Sequence, residues 1–263
     1  MIRIGSVPYL NAKVLIYGLQ SVTEDYTLTF DTPGALVAKL RRGDLDIALV
    51  SSIEYFRSSD YLILPDLSIT AYREMWSIQL FHRVPLAAAR RVGLDPASQT
   101  TNALLQVILR EKMRLAIELT PLQPGEDPLA RADLDGFVKI GDPCLTFAPP
   151  SDYFALDLAN EWYLFTNLPF VFALWLTRKG VDLKGVNQKL FLAKREGLRH
   201  VDDIARVEAP RLNYDFAHTK NYISRIVHYD LSRWELGGLN LFRKYAARQG
   251  LIPDSANFNF YTR

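Results

Sequence analysis

Apolar and polar positions alternate at the start of the chain in blocks that predict a strand, a tight turn and a helix. Isoleucine and valine dominate residues 2–7, as in a buried strand, and Pro8 then ends the run. Asn11 stands at the predicted start of the helix that follows, just before a second apolar stretch. Open α/β folds bind ligands beside the carboxyl end of such a strand, where the next helix begins. Asn11 is therefore the first candidate for a ligand-binding residue.

The same alternation continues to residue 83. The run at residues 45–50 is almost entirely apolar, which is typical of a parallel strand covered on both faces. Ser51 and Ser52 follow it and are predicted to cap the next helix. The other elements predicted here are strands at residues 26–30, 62–69 and 76–81 and helices at residues 33–40 and 53–56. Repeated strand–helix units predict a parallel sheet with right-handed crossovers over residues 1–83.

A second, similar set of elements follows, and the chain then becomes helical. The second set comprises strands at residues 92–94, 115–119, 135–141 and 170–177 and helices at residues 100–110 and 161–167. From Asp182 onwards the whole chain is predicted to be helical. The predicted tail helices span residues 183–194, 198–207, 214–227 and 231–248. Within them Tyr222, Ile226 and Trp234 are predicted to belong to the core.

This order of elements predicts an α/β fold with two lobes, a central cleft and a helical C-terminal tail. We expect the chain to leave lobe one near residue 83, to build lobe two, and to return near residue 177. Lobe one then comprises residues 1–83 and 178–263, and lobe two comprises residues 84–177. Two crossings form a hinge, and ligands often bind in the cleft between such lobes.

Composition and charge narrow the possible partners. The 263 residues are 49% hydrophobic and carry a formal net charge of +2, with lysine and arginine scattered along the chain. A nucleic-acid-binding surface needs a basic stripe, so we predict no nucleic-acid partner. No stretch of about twenty consecutive apolar residues occurs, so we expect no membrane span. The sequence does not predict an oligomeric state.

The first residues and the cysteine content predict a cytoplasmic protein. Polar residues and Pro8 interrupt the first apolar residues, so no secretory signal is expected. Cys144 is the single cysteine and cannot form an internal disulfide, which suits a reducing compartment. Because no histidine lies near it in sequence to activate the thiol, Cys144 is predicted to be a small buried hydrophobic residue.

Other catalytic chemistries have little support in the sequence. The four histidines, His82, His200, His218 and His228, lack the spacing of a metal site such as HExxH. The glycine pair at residues 237–238 lies in a helical stretch and lacks the flanking pattern of a phosphate-binding loop. We therefore predict no metal site and no glycine-rich phosphate site.

Four short motifs occur in a fixed order along the chain: VPYLN at residues 7–11, IALVSSIEY at residues 47–55, IGD at residues 140–142 and LPFVFALW at residues 168–175. Together they resemble the chorismate dehydratase family of the futalosine route to menaquinone, and the resemblance covers essentially the whole chain. It implies a two-lobed fold similar to the periplasmic solute-binding proteins of the second type. The YLN turn resembles the dehydratase branch more than its sister branch, 1,4-dihydroxy-6-naphthoate synthase.

The resemblance implies a lyase reaction on a dianionic small molecule. Chorismate, which carries a ring carboxylate and an enolpyruvyl carboxylate, would lose its ring hydroxyl as water together with the neighbouring ring proton. The product would be 3-[(1-carboxyvinyl)oxy]benzoate. Because the ring becomes aromatic, the reaction is downhill and needs no redox cofactor or metal. The protein then has to bind two carboxylates, orient the ring and assist a departing hydroxide.

The resemblance also implies roles for single residues. It places Asn11 at the reacting centre and Ser77 in the same pocket, with Tyr9 in contact with the substrate. The Asn11 carboxamide is not a base, but it can donate to a leaving hydroxyl or to a carboxylate. Ser77 is otherwise an ordinary strand hydroxyl, and Asp142 either faces the cleft or caps the next turn. No acid or histidine in these motifs is an evident base, so the substrate's enolpyruvyl carboxylate is the expected proton acceptor.

Two pairs of hydroxyl residues are candidates for holding the carboxylates. Ser51 and Ser52 end an apolar strand where a helix begins, and Thr100 and Thr101 have the matching position in lobe two. Hydroxyls and free backbone N–H groups at such positions can bind an anion. Charge-assisted hydrogen bonds of this kind contribute about 1.5–3 kcal/mol each. Alternatively, the four residues are only helix caps, which contribute about 1 kcal/mol to the fold.

The chain departs from the family pattern at three positions. Gln99 replaces a common arginine, which removes a positive charge near the ligand. Val14 replaces a proline after the YLN turn, and His82 follows the crossing strand where a small polar residue is usual. These changes bear on anion binding more than on the fold.

Two other functions stay open at this point. The two-lobed fold can equally serve a non-catalytic cytoplasmic protein that binds or senses a small anion, because a fold does not determine a function. The sister synthase would need a histidine base and a larger pocket. Conversion of chorismate, binding without conversion, and turnover of a cyclic futalosine derivative would distinguish the three.

Overall fold

Ten strands form two five-stranded sheets in the computed structural model, which describes residues 1–254 and 257–262. The strands are β1 (Ile2–Ser6), β2 (Tyr26–Phe30), β3 (Ile47–Ser51), β4 (Tyr61–Ala71), β5 (Ile78–His82), β6 (Arg91–Leu94), β7 (Glu118–Pro121), β8 (Gly136–Ile140), β9 (Phe154–Asp157) and β10 (Phe170–Arg178). The strand order is β2-β1-β3-β10-β4 in the first sheet and β7-β6-β8-β5-β9 in the second. The α/β fold class predicted from the sequence is confirmed.

Ten α-helices cover the strands in the described residues. They are α1 (Leu10–Lys13), α2 (Pro33–Arg42), α3 (Ile53–Arg57), α4 (Gln99–Val107), α5 (Asp142–Leu145), α6 (Leu158–Thr166), α7 (Val186–Arg199), α8 (Val201–Leu212), α9 (Phe216–Asn221) and α10 (Arg233–Arg248). Two π-helical turns, Ile108–Lys112 and Tyr222–Ile226, extend α4 and α9. Local sequence explains the bounds of α2: Thr32 accepts a hydrogen bond at its start, and Gly43 ends it in a left-handed conformation.

The strands of both sheets run in mixed directions. In the first sheet β1 pairs in parallel with β2 and β3, whereas β10 lies antiparallel between β3 and β4. The prediction of a parallel sheet over residues 1–83 is therefore confirmed for β1, β2 and β3. The complete sheet is mixed, because β10 is inserted between β3 and β4, and β5 lies in the other sheet. The apolar run at residues 45–50 does lead into a strand, β3, that is buried along its whole length. That pattern reports burial on both faces, but it does not encode the direction of a neighbouring strand that comes from far along the chain.

The ten strands form two consecutive sets of five, β1–β5 and β6–β10, and the last strand of each set lies in the sheet of the other set. β5 lies between β8 and β9, and β10 lies between β3 and β4. The chain therefore crosses between the sheets at residues 72–77, before β5, and at residues 158–169, before β10. The lobe boundaries expected near residues 83 and 177 lie at the far ends of β5 and β10 and stay a prediction.

The tail packs back on the first sheet. α7 lies against the 3-10 turn Val14–Ile16, and Gly197 approaches it so closely that a Cβ atom would lie 2.2 Å from the Val14 carbonyl oxygen. α10 packs against β10. The prediction that the chain is helical throughout from Asp182 is wrong, because His228 and Phe260 form single bridges with β4. The four tail helices form near their predicted places, because amphipathic periodicity identifies helices better than it identifies their ends.

The three tail residues predicted as core differ in burial. Tyr222 is 1% exposed, so the prediction is confirmed for it, and Ile226 is half-buried. The prediction is wrong for Trp234, which is 46% exposed in the first turn of α10 and stacks on Tyr72 at the surface. The amphipathic character of Trp explains this position, since its ring can cover a neighbour while one face stays in water.

Close packing of α10 against the chain entering β10 makes Gly238 the sensitive member of its glycine pair. A Cβ atom on Gly238 would lie 2.0 Å from the Pro169 carbonyl oxygen, whereas one on Gly237 meets its nearest neighbour at 3.9 Å. We expect Gly238→Ala to lower the free energy of unfolding by about 1–3 kcal/mol, because the backbone must move to relieve the overlap. Gly237→Ala is the matched control and should raise it by up to about 1 kcal/mol through helix propensity. Urea unfolding measures both, and equal effects would contradict the packing argument.

Candidate active site

A cleft lies between the two sheets, where the carboxyl ends of β1, β3 and β8 meet the beginnings of β5 and β10. It contains about 520 Å³ of space not filled by atoms, part of it open to solvent. Six of its lining residues carry a polar side chain: Tyr9, Asn11, Ser51, Ser77, Ser98 and Thr101. Five of these six residues were candidates from the sequence, and Ser98 was not.

The lining of this cleft carries no aspartate, glutamate, lysine, arginine or histidine among the residues that the structure describes. Burial raises the pKa of Tyr9, and the nearby carboxylates Asp95 and Asp142 raise it further. The Tyr9 phenol therefore stays protonated at neutral pH and can donate a hydrogen bond. The cleft thus presents neutral hydrogen-bonding groups and no strong base of its own.

Asn11 lies in the first turn of α1, directly after the end of β1, as the sequence predicts. Tyr9 precedes this short helix in an extended conformation and makes no side-chain cap. The Asn11 Oδ1 atom is buried and has no hydrogen-bond partner in residues 1–254 and 257–262. An unpaired buried acceptor costs roughly 1–3 kcal/mol, so a ligand hydroxyl bound in the cleft would be stabilised by this atom.

Ser77 enters the cleft at the start of β5 and has a partner that sequence analysis missed. Its hydroxyl lies 2.6 Å from the hydroxyl of Tyr222, which begins the π-helical turn after α9. Tyr222 was predicted only as a core residue. A buried tyrosine usually has a hydrogen-bond partner for its hydroxyl, so the sequence could have indicated that Tyr222 has one. The sequence does not indicate which residue that partner is.

Ser51 and Thr101 face the cleft from opposite sheets. The Thr101 Oγ1 atom accepts a hydrogen bond from the Ser98 hydroxyl at 2.8 Å, which leaves the Thr101 proton available to a ligand. Ser98 is also the N-cap of α4, where it accepts from the Thr101 N–H group. The Ser51 hydroxyl makes no hydrogen bond within the described part of the chain. Both hydroxyls can therefore donate to a bound anion.

Ser52 and Thr100 do not line the cleft, although their neighbours do. The Ser52 hydroxyl donates to the Val171 carbonyl at 2.7 Å and makes no cap on α3, so the predicted capping role of Ser52 is wrong. Thr100 Oγ1 accepts from the Ile53 N–H group at 3.1 Å and lies 3.4 Å from Ser52 Oγ. These two buried hydroxyls join α3 of the first lobe to α4 of the second. Their role as substrate ligands stays a prediction.

Asp142 makes a second connection between the lobes. It begins α5, beside β8, and its Oδ1 accepts from the Leu10 N–H group of α1 at 2.8 Å. Its Oδ2 pairs with Arg211 of α8 at 3.2 Å, and Arg211 is also held by the buried Glu208. Burial raises the pKa of Asp142, while the bonds from Leu10 and Arg211 act in the opposite direction. Asp142 is thus engaged with protein groups and lies outside the cleft lining.

A more highly charged cavity adjoins the cleft and shares Ser51 with it. Arg41 and Arg57 lie in its wall, and the buried Glu54 carboxylate pairs with the half-exposed Arg41 guanidinium at 2.6 Å. The Arg57 guanidinium donates to the Gln99 side chain at 3.3 Å. A cation from α3 therefore stands beside Gln99, the position at which the family pattern has an arginine of its own.

Cys144 and the histidines have no part in this cleft. Cys144 is 4% exposed, which confirms the prediction of a buried hydrophobic residue, and burial raises the pKa of its thiol to about 12. Within the described residues no three histidine, cysteine, aspartate or glutamate side chains come together as metal ligands would. In the same part of the chain, no helix has both the length and the apolarity that crossing a bilayer requires.

The two sheets have the same strand order, each contains one strand from the other set, and a cleft lies between them. These features define the class of two-lobed, periplasmic-binding-protein-like folds. The family model described as "Menaquinone biosynthesis" matches residues 2–248, and the chain belongs to this family. The "Chorismate dehydratase" of Thermus thermophilus is 31% identical over 257 residues, covering 91% of this chain and 93% of the relative. That of Campylobacter jejuni is 26% identical over 249 residues, covering 91% and 95%.

Solved structures share the fold at low sequence identity. A protein of Archaeoglobus fulgidus superimposes with a TM-score of 0.75 at 17% identity, covering 95% of this chain and 98% of that one. The alkanesulfonate-binding protein SsuA of Xanthomonas axonopodis, bound to MOPS, gives a TM-score of 0.67 at 17% identity over 96% and 94%. A Candida albicans protein described as having the generic periplasmic binding protein fold gives 0.63 at 13% identity over 100% and 98%.

The connection through Asp142 should contribute measurably to stability. We expect Asp142→Ala to lower the free energy of unfolding by about 1–3 kcal/mol, because the Leu10 N–H group and the Arg211 guanidinium lose a buried acceptor. Asp203→Ala is the control: Asp203 pairs with Arg206 at the surface, and its loss should change stability by less than about 0.5 kcal/mol. Urea unfolding measures the free energy of unfolding of both variants. Equal losses would contradict the contribution assigned to the Asp142 contacts.

Proposed function

We propose that this protein is a chorismate dehydratase, a hydro-lyase that converts chorismate into 3-[(1-carboxyvinyl)oxy]benzoate and water in menaquinone biosynthesis. Family membership and the two relatives of that name support the assignment. The structural observation that carries it is the buried, unpaired Oδ1 of Asn11 in a cleft of neutral hydrogen-bond donors. Such a cleft suits a substrate that brings its own negative charges and one hydroxyl.

The substrate's carboxylates are bound by hydroxyl donors from both sides of the cleft. Ser51 donates from the end of β3, and Thr101 donates from the first turn of α4, where free N–H groups and the helix dipole favour an anion. The protonated Tyr9 phenol supplies a third donor. Hydrogen bonds to charged groups contribute about 1.5–3 kcal/mol each, so three of them can hold and orient the dianion.

Positive charge stands in the cavity that adjoins the cleft rather than inside the cleft. Arg57 lies in the wall of the adjoining cavity and is joined to α4 through Gln99. Its charge lies on the side of the donors Ser51 and Thr101 and raises the local concentration of an anion. The interior stays neutral, so the reacting ring is held by oriented dipoles.

Dehydration breaks two bonds on neighbouring ring carbons. The C–H bond of the carbon that bears the enolpyruvyl ether gives up its proton, and its electron pair completes the aromatic ring. The hydroxyl on the next carbon leaves with the electron pair of its C–O bond. Asn11 Oδ1 accepts a hydrogen bond from this hydroxyl, and Ser77 donates one to its oxygen, where negative charge develops. Donors placed at developing charge stabilise the transition state.

The proton acceptor is the substrate's own enolpyruvyl carboxylate. The cleft lining holds no carboxylate or imidazole within the described residues, whereas this carboxylate is tethered beside the carbon that loses its proton. An intramolecular base of this kind has a high effective concentration. The proton taken from the ring and the departing hydroxide together form the water that is released.

The two alternative functions make different demands on the site. A sensor of a small anion needs the donors Ser51 and Thr101 but has no use for an unpaired acceptor at Asn11. The sister synthase needs a histidine base, and no histidine lines the cleft in the part of the chain that the structure describes. The dehydratase is therefore the function that the site supports best.

Removal of the Asn11 carboxamide should abolish most of the turnover. The purified protein mixed with chorismate is expected to give a product lighter by one water, detected by mass spectrometry. We expect Asn11→Ala to lower kcat by about 100-fold or more, because the hydroxyl is no longer oriented for departure beside the Ser77 donor. Asn160→Ala, on α6 outside the cleft, should keep wild-type activity. Tight binding of chorismate by the wild type without any conversion would instead identify a sensor, and full activity of Asn11→Ala would exclude the mechanism.

The neighbouring serines should separate substrate binding from stability. We expect Ser51→Ala to raise KM by about 10-fold, because one hydrogen bond to a carboxylate is lost, with little change in the free energy of unfolding. Ser52→Ala removes a buried bond to Val171 and should instead lower that free energy by about 1 kcal/mol. Steady-state kinetics and urea unfolding of both variants test the assignment. An unchanged KM in Ser51→Ala would remove Ser51 from the binding site.

A further inference from the structure

Tyr222 lies next to Ser77, one of the two groups that act on the departing hydroxyl. It begins the π-helical turn Tyr222–Ile226, which packs against α1, and its ring stacks near that of Trp76. π-Helical turns interrupt helices frequently at functional sites. The side chain is 1% exposed and is not part of the cleft lining. Tyr222 therefore contacts the lining residue Ser77 but not the space of the cleft itself.

The hydroxyl of Tyr222 lies 2.6 Å from Ser77 Oγ. Burial raises the pKa of Tyr222, so the phenol stays protonated at neutral pH and has one proton to donate.

The direction of this hydrogen bond follows from the acceptors within reach of the Tyr222 proton. Ser77 Oγ at 2.6 Å is the better acceptor, because the alternative is the Met75 sulfur at 3.8 Å, and thioether sulfur accepts weakly. With Tyr222 donating to Ser77, the Ser77 proton is free to point into the cleft.

We propose that Tyr222 is a positioning residue that holds Ser77 with its donor towards the hydroxyl that leaves the substrate. The inference rests on the proposed function, since it assigns a purpose to this orientation only if a hydroxyl departs there. A serine without this anchor can turn its proton away from the cleft.

Tyr229 provides a matched control on the same part of the chain. It is 3% exposed, and its hydroxyl donates to the Ile223 carbonyl at 3.1 Å. Tyr229→Phe and Tyr222→Phe each remove one buried hydroxyl and its hydrogen bonds, so both lose some stability. Of the two changes, only Tyr222→Phe releases Ser77.

The test compares steady-state dehydration of chorismate by the wild type, Tyr222→Phe and Tyr229→Phe, with thermal unfolding of all three. We expect Tyr222→Phe to lower kcat by about 10- to 100-fold with KM changed less than about threefold, because orientation is lost while the carboxylate donors remain. Tyr229→Phe should keep both constants within about twofold of the wild type, at a similar loss of stability.

A double variant tests whether Tyr222 acts through Ser77. Residues that work as one unit show non-additive losses, so Ser77→Ala combined with Tyr222→Phe should be less impaired than the product of the two single effects. A loss equal to that product would mean that Tyr222 acts independently of Ser77, and the proposal would be wrong.

The remaining outcomes separate this inference from the function on which it rests. If the wild type dehydrates chorismate and Tyr222→Phe keeps its kcat within about twofold, the positioning role is overturned and the proposed function stands. If Tyr229→Phe loses as much kcat as Tyr222→Phe, the effect is one of general stability, and the positioning role is again overturned. A wild type that does not convert chorismate overturns the proposed function, and the positioning role falls with it.

Discussion

The exchange of one strand between the two sheets is the constraint on which the cleft depends. β5 and β10 each lie in the sheet of the other set of strands and pair antiparallel with both neighbours, so both begin at the edge where the parallel strands end. Both sheets therefore turn their ligand-binding edges towards the same gap. This arrangement brings Ser77, at the start of β5, close to Asn11, which follows β1. Two residues 66 positions apart in sequence become parts of one site for that reason.

Neighbouring residues divide the work of joining the lobes and lining the cleft. Thr100 and Ser52 bond across the gap, whereas Thr101 and Ser51, one residue away from each, face the open space. This division follows from backbone geometry, because successive side chains point to opposite sides of a strand and about 100° apart around a helix. The same hydroxyl chemistry thus serves closure at one position and anion binding at the next.

The electrostatics of the cleft suit a substrate that carries its own charges. Neutral donors bind carboxylates without burying a cation in the interior, where an unpaired charge would be strongly destabilising. The exposed Arg57 stays in the wall of the adjoining cavity. Inside, the Ser77 hydroxyl is hydrogen-bonded to the buried Tyr222, so little reorganisation is needed when charge develops. Rigidity behind the site and neutrality within it complement each other.

The sequence by itself determined the local elements and the position of the site along the chain. The strand predicted at residues 26–30 forms as β2, Asn11 lies at the end of β1 beside a helix start, and the family motifs span the fold. Only the tertiary structure decided the antiparallel insertion of β10, the side of the backbone on which Ser51 and Ser52 point, and the partners of Tyr222. Periodicity reports which faces are buried, because burial is a property of one segment. Strand direction and hydrogen-bond partners are properties of two segments, and those pairs are made by folding.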